Sequence, residues 1–91
     1  MTVYVDNMRR RAQLLGRPAN WSHLLADTTE ELEAFARRLN LNPSWIQHAG
    51  TRREHYDVTD TVRSKAIQLG AEPITYPHGT AEVLHRKRQA E

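Results

Sequence analysis

The sequence predicts a small α/β protein, with a three-stranded, partly parallel sheet, two main helices and a further helix at the C-terminus. Short β-branched and aromatic runs alternate with helical patterns in the order β, α, β, α, β, and the connections between them are short. This alternation favours strands that run at least partly parallel. A chain of 91 residues has room for one hydrophobic core. We therefore expect a single domain over residues 1–78, followed by a short helix and basic tail over 79–91.

The first strand is predicted at residues 2–6, where the run TVYVD is rich in β-branched and aromatic side chains. An irregular or weakly helical loop should follow, because Gly16 and Pro18 interrupt any regular pattern. The run WSHLLA, residues 21–26, fits a strand and a short helix equally well.

The clearest helix begins after Thr28, which forms a capping box with Glu31 in which each side chain satisfies the other's backbone amide. Apolar residues then recur with helical spacing at Leu32, Phe35, Ala36 and Leu39. Asn40 is a suitable terminator because it tolerates the left-handed conformation.

The remaining elements are predicted by the same signals. A second strand is expected at residues 44–49 and a second helix at 60–69. A short third strand is expected at 72–77, where its two prolines would confine it to an edge or to a strand end. A last helix should start near Thr80. Ligands of such sheets bind beyond the carboxyl ends of the strands. Polar residues gather at these predicted ends, namely Asp6, Gln47, His48, Tyr76 and His78.

The composition excludes several classes of protein. Without cysteine, the chain has no disulfide framework, zinc knuckle or thiol chemistry. No apolar run is long enough to span a membrane and no secretory signal is recognisable, which predicts a cytoplasmic protein. The net charge is +2, and the basic residues cluster at Arg9, Arg10, Arg11 and Arg17, at Arg52 and Arg53, and at Arg86, Lys87 and Arg88. Such clusters suit a solvated surface better than a nucleic-acid footprint, although both interpretations stay open.

Two histidine–aspartate pairs are the candidate chemistry of this chain. His23 and Asp27 are four residues apart, so they share a face whether their segment is helical or extended. His55 and Asp57 share a face if their segment is extended. Together with Asp6, these groups suffice for a divalent metal site or an acid–base site.

The roles in a hydrolytic reaction can be assigned as hypotheses. His55 would carry the proton, Asp57 would orient it, and Asp27 with Asp6 would hold a metal or a water. Spacing alone favours a structural interpretation, in which the aspartates begin helices and His23 packs in the core.

An anion site is also predicted. Arg52 and Arg53 stand before a predicted helix N-terminus, where guanidinium groups and free amides bind anions. A phosphate between these arginines and His55 would fit that arrangement. Alternatively, the two arginines cover a solvated loop.

Longer segments resemble a known family. VYVD, WSHLLADTTEELEAFARRL, WIQ and HYDVTDTVRSKAIQLGA resemble the domain of unknown function 4031 family, whose members occur in bacteria and their phages. The resemblance covers residues 2 to about 75 and implies no activity. It implies that the important positions are Asp6, Ser22, His23, Asp27, Glu31, His55, Tyr56 and Asp57. Many members have a histidine where this chain has Glu33, so the resemblance does not support a three-histidine metal site here.

The leading hypothesis is a pocket that binds a phosphorylated or nucleotide-like ligand, with metal-assisted hydrolysis as one option. Whether the protein is an enzyme stays undecided. The expected ligand-binding residues are Asp6, Ser22, Arg52, Arg53 and Tyr56; the catalytic ones are His23, His55 and Asp57; and the metal ligands are Asp27 and Asp6.

Two alternative functions remain. One is a nucleic-acid-binding module that uses the basic clusters, and the other is a phage or host interaction protein that inhibits or adapts a partner without chemistry. A homodimer is compatible with all three hypotheses, because a small sheet leaves edges to cover. The expected location is the cytoplasm of a bacterium or of a phage-infected host, with no membrane partner.

Overall fold

The computed structural model describes residues 2–14 and 16–89. Within these residues it contains five strands and three α-helices, which confirms the α/β class and the number of helices. The strands are β1 (Val3–Val5), β2 (Arg10–Leu14), β3 (Arg17–Ala26), β4 (Tyr56–Thr59) and β5 (Glu72–Pro73). The helices are α1 (Thr29–Arg38), α2 (Asp60–Gln68) and α3 (His78–Gln89). The prediction of three strands was wrong, because the sheet has five.

The long strand β3 is the centre of the sheet. Leu24 pairs with both Val5 of β1 and Tyr56 of β4, which therefore lie on opposite edges of β3. The hairpin partner β2 continues along the same edge as β1, farther toward the start of β3. All three pairings of β3 are antiparallel, and only β5 runs parallel to its neighbour β1. The sheet is thus mixed and mostly antiparallel.

The expected loop after the first strand is a β-hairpin instead. Strands β2 and β3 pair through five residues, and Gly16 lies in their turn with a φ of +73°. Glycine suits this turn because its missing Cβ permits a positive φ. Strand β2 was not predicted, because its sequence RRAQL lacks the alternating apolar pattern that indicates a half-buried strand.

The predicted strand at 44–49 is not a strand. Residues Pro43–Trp45 form a short 3-10 helix, capped by Asn42, whose side-chain oxygen accepts from the amide of Ser44 at 2.9 Å. Proline at the first helical position and asparagine at the cap stabilise this turn over an extended chain. Gln47 alone forms an isolated bridge, and its partner is His55.

Between the predicted second strand and the second helix lies strand β4, which was not predicted from the sequence. In this strand Tyr56 and Val58 are buried and alternate with half-buried Asp57 and Thr59. The second helix begins at Asp60 as predicted, because the Thr59 hydroxyl accepts from the Val62 amide at 3.3 Å. The expected third strand at 72–77 is shorter and consists of Glu72–Pro73.

Helices cover both faces of the sheet. The main core joins α1 and α2 to one face, through residues that include Leu24, Leu32 and Ala66. On the opposite face, Val83 of α3 packs against Tyr4 and Leu25. Successive residues of a strand point to opposite faces, so His23 lies on the same face as Leu25, under α3.

The predicted capping box at the start of α1 is confirmed. The Glu31 amide donates to the Thr28 hydroxyl at 3.2 Å, and that hydroxyl donates to the Glu31 carboxylate at 2.9 Å. Both contacts hold the first turn of the helix, whose Leu32 is fully buried against the sheet. The cap and the buried Leu32 thus fix the start of α1 against the sheet.

Candidate functional site

Two segments that sequence analysis singled out pair as neighbouring strands. His23 of β3 and Asp57 of β4 are direct cross-strand partners, so their side chains point to the same face of the sheet. His55 lies two residues before Asp57 and therefore projects on that face as well. One side-chain ligand atom from each of these three residues lies within 4.8 Å of the other two. We call His23, His55 and Asp57 the His–Asp cluster.

Hydrogen bonds orient both imidazoles in the same way. The Nδ1 atom of His55 lies 2.9 Å from the carbonyl oxygen of Arg53, which can only accept, so Nδ1 carries the proton. The Nδ1 atom of His23 lies 2.7 Å from the Asp6 carboxylate and donates to it. Each ring therefore presents the lone pair of Nε2 to the cluster. The ring centroids are 5.0 Å apart and nearly perpendicular, and His55 Nε2 lies 3.7 Å from Asp57 Oδ1.

The buried Asp6 carboxylate holds the His23 ring in position. The Asp6 backbone amide donates to the His23 carbonyl at 3.0 Å. The His23 amide donates at 2.9 Å to the Asp6 side chain and not to the Asp6 carbonyl. The freed Asp6 carbonyl accepts from Arg63 Nε at 2.7 Å. The fully buried carboxylate also accepts from the Thr80 hydroxyl at 2.8 Å and from the Met8 amide at 3.2 Å. With every oxygen engaged, Asp6 is a support for His23 and not a free ligand.

The pKa values of the buried groups diverge. Burial by itself would raise the pKa of Asp6, but hydrogen bonds from His23 and Thr80 outweigh it, and the pKa lies below the usual carboxyl value. The hydrogen bond to Asp6 raises the pKa of His23 against the effect of burial. Burial lowers the pKa of His55, and positive charge on His23 and His48 lowers it further. The pKa of His23 is therefore shifted upward and that of His55 downward, so His23 holds a proton more tightly than His55 does.

Two depressions adjoin the cluster, and His23 and Tyr76 line both of them. One is a cavity of about 230 Å³, whose lining includes Arg53, His55 and Leu84. The other is a groove of about 500 Å³, whose lining includes Arg10 and Arg11. The Tyr76 side chain is 45% exposed, and its ring centroid lies 5.6 Å from that of His23. A ligand at the cluster can therefore extend in two directions.

Asp27, an expected metal ligand, lies away from the cluster. Its carboxylate accepts from the Tyr4 hydroxyl at 2.9 Å and from the Thr2 amide at 3.0 Å. Four extended residues span about 13 Å, so sharing a face with His23 does not bring Asp27 into the same site.

The other expected ligand-binding residues are divided. Arg53 lines the cavity, whereas Arg52 is half-buried and lines neither depression. Ser22 is buried on the opposite face of β3, where its hydroxyl accepts from the Arg9 amide at 3.0 Å. Tyr56 is buried in the main core. Of this group, the structure places only Arg53 beside the cluster.

Three further side chains belong to the site. Gln47 donates from Nε2 to Asp57 Oδ2, Thr80 holds Asp6, and Tyr76 adjoins His23. Gln47 and Tyr76 stood near predicted strand ends, which was the only sequence signal for them. The contact of Thr80 with Asp6 joins residues 74 positions apart, and no local spacing reveals such a pair.

The fold and the site define a class: a small α/β protein with two histidines and one carboxylate on one face of a mixed sheet. The family model described as "Protein of unknown function (DUF4031)" matches residues 3–90. The chain belongs to this family, which confirms the resemblance found in the sequence. Comparison with curated proteins and with solved structures found no significant match. Among the helices of residues 2–14 and 16–89, none is long and apolar enough to cross a membrane.

Proposed function

We propose that this protein binds a divalent transition metal through the His–Asp cluster and uses it to hydrolyse a phosphorylated, nucleotide-like ligand. The observation that carries the proposal is the convergence of three potential ligand atoms within 4.8 Å. The metal ligands would be Nε2 of His23, Nε2 of His55 and a carboxylate oxygen of Asp57.

The donor set fits a metal such as Zn²⁺. Imidazole nitrogens suit zinc better than they suit magnesium or calcium, and two histidines with one carboxylate leave a coordination position for water. Ligands of a tetrahedral zinc lie about 3.3 Å apart. The separation of 3.7 Å between His55 Nε2 and Asp57 Oδ1 is close to that value. Because the three ligand atoms lie within 4.8 Å of one another, the side chains would have to draw together by at most about 1.5 Å to hold the metal.

The supporting hydrogen bonds also fit a metal site. Histidine ligands usually donate their second ring proton to a carboxylate or a carbonyl, which fixes the tautomer. His23 donates to Asp6 and His55 donates to the Arg53 carbonyl, so both rings have this support. Gln47 provides a similar contact to Asp57.

The phosphate of the ligand would lie beside Arg53. This exposed guanidinium lines the cavity next to His55 and makes no ion pair with the described part of the chain. Arginine binds phosphate through two parallel hydrogen bonds. Leu84 lines the same cavity and would contact a sugar or a base.

A bound divalent metal would lower the pKa of a coordinated water and neutralise charge on the phosphoryl group. Asp6 and Gln47 would hold the ligating side chains, and Arg53 would bind a phosphoryl oxygen. In the reaction the water oxygen bonds to phosphorus, and the bond from phosphorus to the leaving oxygen breaks. One proton of the water passes to solvent, and the leaving oxygen takes a proton from solvent.

Calorimetric titration of the metal-free protein with zinc chloride tests the metal site. We expect one zinc per chain, and we expect His55→Ala to weaken binding by at least about a hundredfold, because two ligands hold zinc poorly. His78→Ala is the matched control, since His78 is exposed at the start of α3 and outside the cluster. Circular dichroism checks that both variants are folded. Equal zinc affinity of the wild type and His55→Ala would contradict the proposal.

Hydrolysis is tested with bis(p-nitrophenyl) phosphate and p-nitrophenyl phosphate as probes. We expect turnover in the presence of zinc or manganese, its loss on chelation, and its absence in His55→Ala. Turnover that survives chelation would assign the two histidines to metal-free acid–base chemistry. No turnover by the zinc-loaded protein would remove hydrolysis and leave a binding site.

A further inference from the structure

We infer that the ligand of this site is a single-stranded polynucleotide, with one phosphodiester at the His–Asp cluster and neighbouring phosphates in both depressions. The inference rests on the proposed function and specifies its substrate class. Three observations support it: the two-sided opening, the distribution of unpaired arginines and the exposed ring of Tyr76.

The two-sided opening suits an internal phosphodiester. The cavity and the groove both include His23 and Tyr76 in their linings, so they adjoin at these two residues. A phosphate monoester or a mononucleotide would occupy one of them. A chain of nucleotides would pass through both and place a phosphodiester at their junction.

Unpaired positive charge flanks the cluster on both sides. Segment 7–20 contains four arginines and no acidic residue. Arg9 is neutralised by Asp60, to which it donates two hydrogen bonds at 3.0 and 2.8 Å. Arg10 is the cross-strand partner of Trp21 and projects on the face of His23, whereas Arg11 is the partner of Asn20 and projects on the opposite face. Arg10 is exposed, lines the groove, and makes no ion pair within residues 2–14 and 16–89. Arg53 supplies the corresponding charge in the cavity.

Acidic groups do not cancel this charge. Glu54 lines the cavity, but it is buried and accepts hydrogen bonds from the Thr29 hydroxyl and the Gly50 amide. Asp57 accepts from Gln47 Nε2, and its Oδ1 lies 3.7 Å from His55 Nε2. The arginines therefore remain available for phosphates along an extended ligand.

The exposed ring of Tyr76 favours a single strand over a duplex. Its side chain is 45% exposed and lies where the cavity and the groove meet. Aromatic rings at such positions stack on unpaired bases, and a duplex buries the faces of its bases. Trp21 also lines the groove, but it is buried and its indole N–H donates to the Ala12 carbonyl at 2.9 Å. Tyr76 is thus the available platform.

Fluorescence anisotropy with a labelled 12-nucleotide single strand tests the inference, using DNA and RNA of the same sequence. The measurements are made in EDTA from 50 to 300 mM potassium chloride, so that they do not depend on a metal. Contacts of Arg10 and Arg53 with two phosphates predict a slope of about −1.4 for log K against log salt concentration. The double variant Arg10→Gln/Arg11→Gln should bring this slope to about −0.7, because the phosphate contact of Arg10 is lost and Arg11 faces away from the cluster.

A charge-matched control separates local contacts from net charge. Arg37→Gln/Arg38→Gln removes the same two charges from the last turn of α1 and should leave the slope unchanged. Tyr76→Ala should weaken binding by about fivefold or more at constant slope, because stacking does not release counterions. A mononucleotide should compete far less well than a hexanucleotide.

The outcomes separate this inference from the proposed function. It is overturned if neither DNA nor RNA binds at 50 mM salt, if both double variants lower the slope equally, or if a duplex binds as tightly as the single strand. Zinc binding that persists in such a case would leave the metal site intact. Binding of the strand without any zinc binding would instead refute the metal site and support a strand-binding surface.

Discussion

Asp6→Asn preserves the shape of a buried side chain while it removes the negative charge beneath His23. In the wild type, one carboxylate oxygen accepts from the His23 ring at 2.7 Å and from the Thr80 hydroxyl at 2.8 Å. The other oxygen accepts from the backbone amides of His23 and Met8. Asparagine can keep the two amide contacts through its oxygen, but its nitrogen must replace the oxygen that faces the ring.

The expected loss of stability follows from these contacts. The Thr80 hydroxyl can reverse and accept from the new amide, so the main loss is the charge-assisted hydrogen bond to His23. Such bonds contribute about 1.5–3 kcal/mol, and we expect the free energy of unfolding to fall by about 2 kcal/mol at pH 7. The pKa of Asp6 is lowered in the folded state, so this stability is present above the unfolded pKa and disappears as the pH falls through the folded value.

The expected effect on metal binding follows from the tautomer. The asparagine nitrogen is a donor, so His23 must accept at Nδ1 and carry its proton on Nε2. That proton blocks the atom that would bind the metal. Loss of a supporting hydrogen bond typically costs 10- to 100-fold in metal affinity, and we expect zinc binding by Asp6→Asn to weaken by about a hundredfold.

Urea unfolding and calorimetric zinc titration measure the two effects at pH 7. Thr80→Val is the control, because it removes one hydrogen bond from Asp6 without altering the His23 tautomer. It should cost about 1 kcal/mol and leave zinc affinity within about twofold. Folded Asp6→Asn with the zinc affinity of the wild type would refute the role assigned to Asp6.

Three other predictions follow from the same structure. In the metal-free protein, NMR titration should place the pKa of His23 above 6.5 and that of His55 below 6.5. The stabilisation that protonated His23 contributes to the folded state is then complete below pH 6.5 and declines as the pH rises through the raised pKa. The reverse order of the two rings would contradict the assigned hydrogen bonds. Leu32→Ala should lower the free energy of unfolding, measured in urea, by about 3 kcal/mol, because Leu32 is fully buried. A loss below about 1 kcal/mol would contradict the placement of Leu32 in the core. Gln47→Ala removes the hydrogen bond to Asp57 and should weaken zinc binding about tenfold. The free energy of unfolding should change by less than about 0.5 kcal/mol. Unaltered zinc affinity would show that this contact does not support the metal site.

The sequence predicted the elements whose signals are local. The capping box at Thr28 depends on residues three positions apart, and the second helix starts beside the Thr59 cap. Strand β2 was not predicted because arginines occupy positions where a strand usually has apolar residues. The turn at Pro43 was predicted as a strand, but Asn42 and Pro43 stabilise a helical turn there.

The candidate site was only partly predictable, because its members meet through strand register. The pairing of His23 with Asp57 brings the two singled-out segments together, yet no property of either segment specifies that register. Asp27 shows the limit of the periodicity argument, since four residues in a strand span about 13 Å, whereas one helical turn spans about 5.4 Å. The support of Asp6 by Thr80 depends on the whole fold.

The presence of a metal in the His–Asp cluster is the central claim, and anomalous diffraction tests it most directly. Crystals grown with one equivalent of zinc chloride should show one peak at the zinc edge. The peak should lie about 2.0–2.1 Å from Nε2 of both His23 and His55 and about 2.0–2.2 Å from an Asp57 oxygen. No peak at this position, or zinc bound only at histidines outside the cluster, would contradict the account.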